Sequence, residues 1–379
     1  GSGVIDPALG EYTAGMAGND VIRVTDILGG TADASVTVMA LPSISPVTLG
    51  IMVNGMSSFS SSGGVGALTY SIVSGAGTID TSTGNYMAPA GVGSDVVRVT
   101  DTWGNSADAT ITIVASLTIS PASRSMVVNR SATPNFSATG GMAPLVYSIA
   151  SGGGTIDSST GAFTAPATAQ TVTVRVTDAL ANTNDATVEV VTPVRVYSGS
   201  ASAHTCLKFS NAKIKCWGAG GSGRLGQGST VNIGDGANEI NESLSYVELG
   251  AGFNVDHVST GSTHTCAVST TGSLKCWGGN ASGQLGLGDV LARGDTVGEM
   301  DDALPAVNVG TGRTVVQVAA GQDHTCALLD DSTIKCWGLN TSGQLGIGST
   351  VTIGDGAGEM GNSLAVTSLS TTATPTAIY

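Results

Sequence analysis

Aromatic residues supply only 4% of this 379-residue chain and charged residues only 11%. Basic residues are the scarcest charge: 14 Lys and Arg stand against 28 Asp and Glu, a formal net charge of −14. That balance excludes a nucleic-acid surface, which needs a basic stripe, and leaves nothing to hold anionic lipid. No apolar run approaches the roughly 18 residues that would cross a bilayer as a helix. No signal-peptide pattern opens the chain, as expected of a mature or partial exported polypeptide. Walker loops, Gly-x-Ser-x-Gly elbows and His-Glu-x-x-His helices are missing, so the sequence offers no standard phosphate, hydrolase or metalloprotease site. Closely spaced cysteine pairs of the zinc-finger kind are missing too.

What is abundant is glycine, 55 residues, and repetition. His204-Thr205-Cys206, Lys215-Cys216-Trp217-Gly218 and Gly223-Arg224-Leu225-Gly226 return sixty residues later. The second copy is His264-Thr265-Cys266, Lys275-Cys276-Trp277-Gly278 and Gly283-Gln284-Leu285-Gly286. The third is His324-Thr325-Cys326, Lys335-Cys336-Trp337-Gly338 and Gly343-Gln344-Leu345-Gly346. A fixed period of this size marks an array of supersecondary units. Within each unit two short alternating runs flank a polar centre, a hairpin signature. A turn centred on residues 211, 271 and 331 sets Cys206 opposite Cys216, Cys266 opposite Cys276 and Cys326 opposite Cys336. Directly opposed side chains lie within disulfide reach. Three cross-strand disulfides are therefore expected, against the competing reading of a metal site or free thiols. Paired cysteines persist in oxidising compartments, so the expected location is extracellular or cell-surface.

The His-Thr-Cys start, the Lys-Cys-Trp-Gly strand and the Gly-x-Leu-Gly turn resemble the regulator-of-chromosome-condensation repeat family. That resemblance implies four-stranded β-propeller blades over about 196–379, and the paired cysteines look like its bacterial secreted branch. A closed family propeller needs about seven blades and only about three are present, so the resemblance implies an incomplete propeller. After Leu369 the sequence reads as the opening of a fourth blade.

Residues 1–195 carry a second repeat. Gly77-Thr78-Ile79-Asp80, Gly84-Asn85-Tyr86 and Arg98-Val99-Thr100-Asp101 return as Gly154-Thr155-Ile156-Asp157, Gly161-Ala162-Phe163 and Arg175-Val176-Thr177-Asp178. Period-two alternation between turn clusters predicts small β-sandwiches. The pattern is similar to bacterial immunoglobulin-like or cadherin-like modules. Whole modules are expected at 42–117 and 118–195, and 1–41 aligns with the later half of one. The fold class expected is all-β: tandem sandwiches followed by blades at 196–379. The half-module reads as a window onto a longer repetitive polypeptide, or as one whose missing strands come from another copy.

Each candidate for chemistry has a plainer alternative. His204, His264 and His324 recur at one position, which suits architecture better than an asymmetric catalytic set. A buried ring bonded to backbone is expected. Trp217, Trp277 and Trp337 point away from the cysteines and are expected to pack between blades. The acidic pairs Asp235 and Glu239, Asp295 and Glu299, and Asp355 and Glu359 lie in glycine-rich loops. They could hold Ca²⁺, or simply close those loops. Asp26, Asp101 and Asp178 follow a strand and could bind Ca²⁺ between modules, as the cadherin-like resemblance implies, but are expected to cap turns. Arg224, Arg293, Arg313, His257 and Trp103 lack counterparts in sibling repeats and are candidates for a recognition surface.

Two functions compete. The first is a non-enzymatic extracellular structural or adhesive protein, a segment of a long surface protein, homo-oligomer or fibre. The second is a secreted propeller that captures a specific protein or glycan. Neither involves nucleic acid, membrane insertion or a catalytic residue, and no cofactor beyond calcium is expected.

Overall fold

The computed structural model describes residues 2–368 and 374–379. The expected start of a fourth blade after Leu369 begins outside the described residues. Among those described the chain is all-β, with two three-residue 3₁₀ turns and no helix long and apolar enough to cross a membrane. Two compact units divide it: Gly1–Arg124 with Ser131–Phe163 and Val172–Thr187, and Ser125–Arg130 with Thr164–Thr171 and Val188–Tyr379. The division runs through the expected 118–195 module, whose strands contribute to both units.

In the first unit, β1 (Val4–Ile5) pairs with β2 (Tyr12–Thr13), and β3 (Gly18–Thr25) with β4 (Thr31–Val38). The next module is complete. Its strands are β5 (Ser43–Ser45), β6 (Thr48–Met52), β7 (Met56–Ser58), β8 (Ser60–Ser62), β9 (Thr69–Ser74), β10 (Thr78–Ile79), β11 (Asn85–Met87), β12 (Gly93–Thr100) and β13 (Ser106–Val114). One sheet runs β6-β13-β12-β9, faced by β10-β11-β7 and the β5-β8 pair. Alternation explains the core: Val97, Val99, Ala109, Ile111 and Ile113 point inward onto Ile44, Phe59, Tyr70 and Tyr86.

Between β12 and β13, Asp101 closes the hairpin by accepting from the Trp103 and Asn105 amides at 2.9 Å each. Asp26 and Asp178 do the same in their own repeats. Behind each tip a cross-strand ion pair recurs, Arg23–Asp33, Arg98–Asp108 and Arg175–Asp185 at 2.6–2.7 Å.

The plan returns as β14 (Thr118–Ser120), β15 (Ser123–Val127), β16 (Ser137–Thr139), β17 (Val146–Ser151), β18 (Thr155–Ile156), β19 (Phe163–Thr164), β20 (Gln170–Thr177) and β21 (Thr183–Val191), with sheet order β15-β21-β20-β17.

The second unit holds three antiparallel blades. They are β22 (Pro193–Tyr197), β23 (His204–Phe209) and β24 (Ile214–Gly218); β25 (Val255–Thr260), β26 (His264–Ser269) and β27 (Leu274–Gly278); and β28 (Val315–Ala320), β29 (His324–Leu329) and β30 (Ile334–Gly338). Each blade has three strands where four were expected. The glycine-rich segment after the third strand makes turns, and it touches that strand only through isolated bridges: Gly218 with Ile233, Gly278 with Arg293, and Gly338 with Ile353 and Lys335 with Val366 in the last blade, among the described residues. With so many residues at positive φ, it has no extended run from which to build a fourth strand.

Candidate functional site

The cysteines lie in register: Cys206 faces Cys216, Cys266 faces Cys276 and Cys326 faces Cys336. All three pairs are disulfides, with Cα atoms 4.0–4.1 Å apart. Each of the first two bridges sits on the face of its blade that meets the following one. Cys206 and Cys216 pack with Val258, Ala267 and Trp277, while Cys266 and Cys276 pack with Val318, Ala327 and Trp337.

Alternation sends each tryptophan to the opposite face, toward the preceding blade. Trp277 and Trp337 are 0% exposed. Their indole N–H groups donate at 3.1 Å to the carbonyls of Arg224 and Gln284, in the Gly-x-Leu-Gly turn of the blade before. Trp217 follows no blade and is half-buried.

The histidines stitch the same seam. His204 Nε2 lies 2.6 Å from Thr265 Oγ1, and His264 Nε2 lies 2.9 Å from Thr325 Oγ1. Each threonine hydroxyl in turn donates to the Arg224 or Gln284 carbonyl at 2.8 Å. The hydroxyl's one proton is thereby committed, so the ring must donate from Nε2. The ring partner is a hydroxyl on the next blade, which corrects the expected bond to backbone. His257 does bond a backbone carbonyl, that of Val318 at 3.1 Å. Burial, followed by the charge of Arg224, holds His204 down at about 4; burial, followed by its neighbouring histidines, holds His264 down at about 3. Both rings are neutral, and their threonines cannot be activated as nucleophiles because the ring gives a proton instead of taking one.

Lysine completes the seam. Lys275 Nζ donates to the Leu249 and Asp301 carbonyls at 2.8 and 2.9 Å, and Lys335 Nζ to those of Val309 and Gly361 at 3.0 and 2.9 Å. Burial pulls both ammonium groups below the usual lysine range. Asn280 and Asn340 are likewise buried, and each accepts an amide from the following leucine.

The acidic loops behave as clasps. Glu239 Oε2 accepts from the Gly234 and Gly236 amides at 2.7 and 2.9 Å, and Glu359 repeats this on Gly354 and Gly356. Glu299 takes the Gly294 and Thr296 amides at 2.9 and 3.2 Å. Asp235 receives the Asn232 amide at 3.1 Å. Burial, then a hydrogen bond with Glu299, pushes the Asp295 carboxyl up. Asp355 is exposed beside its own clasp. Among the described residues no group of three or more His, Cys, Asp or Glu could hold a metal ion.

Four of the residues singled out for recognition, His257 among them, make contacts within the chain. Arg224 donates to the Gly221 and Ser262 carbonyls at 2.8 and 2.7 Å, and so spans two blades. Arg293 pairs with Asp289 at 2.8 Å and holds the Leu291 and Ala292 carbonyls. Arg313 pairs with Asp331 at 2.8 Å. Trp103, at its hairpin tip, is 74% exposed.

Comparison with known proteins finds partial matches. Models of the regulator of chromosome condensation (RCC1) repeat match residues 255–284, 315–344 and 271–328. The ultraviolet-B receptor UVR8 of Arabidopsis thaliana is 31% identical over 142 residues, which cover 37% of this chain and 28% of the receptor. The E3 ubiquitin-protein ligase HERC2 of Homo sapiens is 29% identical over 160 residues, which cover 41% of this chain and 3% of the ligase. The chain therefore spans less than a third of either relative. Among solved structures, a C-terminal intimin fragment in complex with the intimin-binding domain of its translocated receptor shares 14% identity at a TM-score of 0.33, over 41% of this chain and 67% of that one. Yeast Prp20 bound to Kap60 shares 16% identity at a TM-score of 0.32, over 47% of this chain and 42% of that one.

Proposed function

We propose, from the match of residues 255–344 to RCC1 repeat models, that this chain is a non-enzymatic extracellular protein in which tandem β-sandwiches carry disulfide-bonded blades that bind a partner protein. The observation that carries this reading is the placement of all six cysteines in three bridges on the blade faces, two of them fully buried. Such bonds form and persist outside the reducing cytosol. Two of them are packed into the seams, so they stiffen the array that would present a binding surface. The His–Thr–carbonyl relays support a scaffolding role, since every proton in them is directed to a structural acceptor. In this reading the sandwiches are spacers of a surface structure, bacterial and immunoglobulin-like in type, repeated along a fibre or brought together as copies.

The test is thiol accounting on protein taken from its native source, combined with labelling of intact cells by a membrane-impermeant reagent. Alkylation under denaturing conditions without reductant should modify none of the six cysteines, and the chain should be labelled from outside. Alkylation of the seam cysteines before reduction, or protection of the chain from the external reagent, would remove the extracellular assignment.

A further inference from the structure

The connection between the second and third blades arches over the tip of the second blade's hairpin. The Val307 amide donates to the Leu274 carbonyl and the Val315 amide to that of Gly272, both at 2.8 Å, and residues 308–314 bow between these two bonds. Under the bow lies an open cavity of about 270 Å³. Its floor is apolar, formed by Leu274, Val307, Val309 and Val315, each 1–6% exposed. Exposed polar side chains, Arg313 among them, complete the wall.

The connection one blade earlier is built alike. Val247 donates to the Ile214 carbonyl at 2.9 Å and Val255 to that of Ala212 at 2.8 Å. Ile214, Val247, Leu249 and Val255 thus stand where Leu274, Val307, Val309 and Val315 stand sixty residues later. There the arch supplies its own ring. Phe253 packs on the cluster that holds those four residues, and Lys275 Nζ lies 5.7 Å from its ring centroid, within cation–π range.

At the later arch the counterpart of Phe253 is Arg313. Lys335 Nζ borders this cavity, 3.4 Å from where a Cβ on Gly310 would stand. A guanidinium turned inward would meet that ammonium, and like charges repel. Arg313 turns outward instead, to Asp331 at 2.8 Å and Asp330 at 3.5 Å. The space above the apolar floor is left open.

We propose that this cavity receives a phenylalanine or tyrosine side chain of the partner protein that the blades bind, an inference that rests on that reading of their function. The guest ring takes the place that Phe253 holds at the earlier seam. It lies on Leu274, Val309 and Val315, and its face meets the Lys335 ammonium as Phe253 meets that of Lys275. An aromatic anchor in a preformed pocket is the kind of contact that carries most of an interface's binding energy. Arg313 marks the site by withdrawing from it.

The probe is N-acetyl-phenylalaninamide, titrated into the whole chain with its valine and leucine methyls labelled for NMR. Saturable shifts should appear at Leu274, Val309 and Val315, at concentrations roughly 10-fold or more below those needed with N-acetyl-alaninamide. Arg313→Phe restores the residue of the earlier seam and should abolish these shifts, with the emission of Trp277 and Trp337 unchanged. Arg313→Ala leaves the cavity open and should retain them. Absence of saturable shifts, an equal response to the alanine probe, or binding that survives Arg313→Phe would overturn the site. Free phenylalanine binding 10-fold more tightly than its blocked form would overturn the partner-protein assignment, because the cavity would then select the ammonium and carboxylate of a small molecule. Thiol accounting and surface labelling are read separately, so a failure here is distinguishable from a failure of the extracellular reading.

Discussion

Acid should loosen the blades well before it titrates their carboxylates. His204 and His264 are neutral in the folded chain, held at about 4 and about 3 against 6.5 in the unfolded chain. Their folded values lie below the unfolded one, so below pH 6.5 the unfolded state binds protons that the folded state refuses. The stability they confer is thus whole above pH 6.5 and is lost as pH falls toward 4. Each unit within that window costs about 1.4 kcal/mol per ring. Going from pH 7 to pH 5 should cost about 2 kcal/mol for each ring, and about 4 kcal/mol for both. Burial also lowers His257 and His324, which adds loss of the same sign. Asp80 and Asp157, held low by hydrogen bonds from the amides and hydroxyls that follow them, enter only below the ordinary carboxylate range. The assay is urea unfolding at pH 7 and pH 5, followed by the emission of Trp277 and Trp337, which lie in the same seams. The midpoint should fall at pH 5, and the His264→Gln variant, whose amide still donates to Thr325, should lose about half of that dependence. A midpoint equal at both pH values, or a variant with undiminished dependence, would refute the tautomer and burial argument together.

Two paired comparisons test the seam directly. Trp277→Ala removes a fully buried ring and should cost about 3–5 kcal/mol, whereas Trp217→Ala, at a half-buried ring with no preceding blade, should cost about 1 kcal/mol; equal losses in urea titrations would contradict the assignment of faces. Gly223→Ala and Gly343→Ala impose the same left-handed backbone, at φ +78° and +76°, but only at 223 would the new Cβ meet the next blade, at Asp295 N. Both should show the roughly 1–2 kcal/mol of that backbone conformation, and Gly223→Ala about 1–3 kcal/mol more from the clash, read as the difference between their thermal midpoints.

Local features were legible in the sequence and cross-blade ones were not. The cysteine pairs could be read because a hairpin fixes its partners by turn position alone, and the tryptophan face because alternation fixes direction. The histidine partner could not, since Thr265 lies 61 residues from His204 and no local pattern couples them. Lys275 shows the same limit. In Leu274-Lys275-Cys276 it reads as the solvent side of a strand, yet its ammonium clamps two carbonyls from loops far along the chain. Arg224 stood out because glutamine replaces it at 284 and 344, which suggested recognition. The structure shows a guanidinium reaching the Ser262 carbonyl across the seam, so irregularity between repeats can reflect a different way of making one joint.

Those joints also explain why identical motifs have unequal surroundings. Every seam takes half its parts from each blade: histidine, disulfide and glycine turn from the earlier one, threonine, tryptophan and clasp loop from the later. A blade flanked on both sides completes two seams, and β26 and β27 of the middle blade are buried at every residue. Strands of the outer blades, at the same repeat positions, mix buried with half-buried residues. Stability in such an array is a sum over neighbours and not a property of the motif. A substitution at His264 should therefore weigh more than the same change at His324, and the difference would measure one seam.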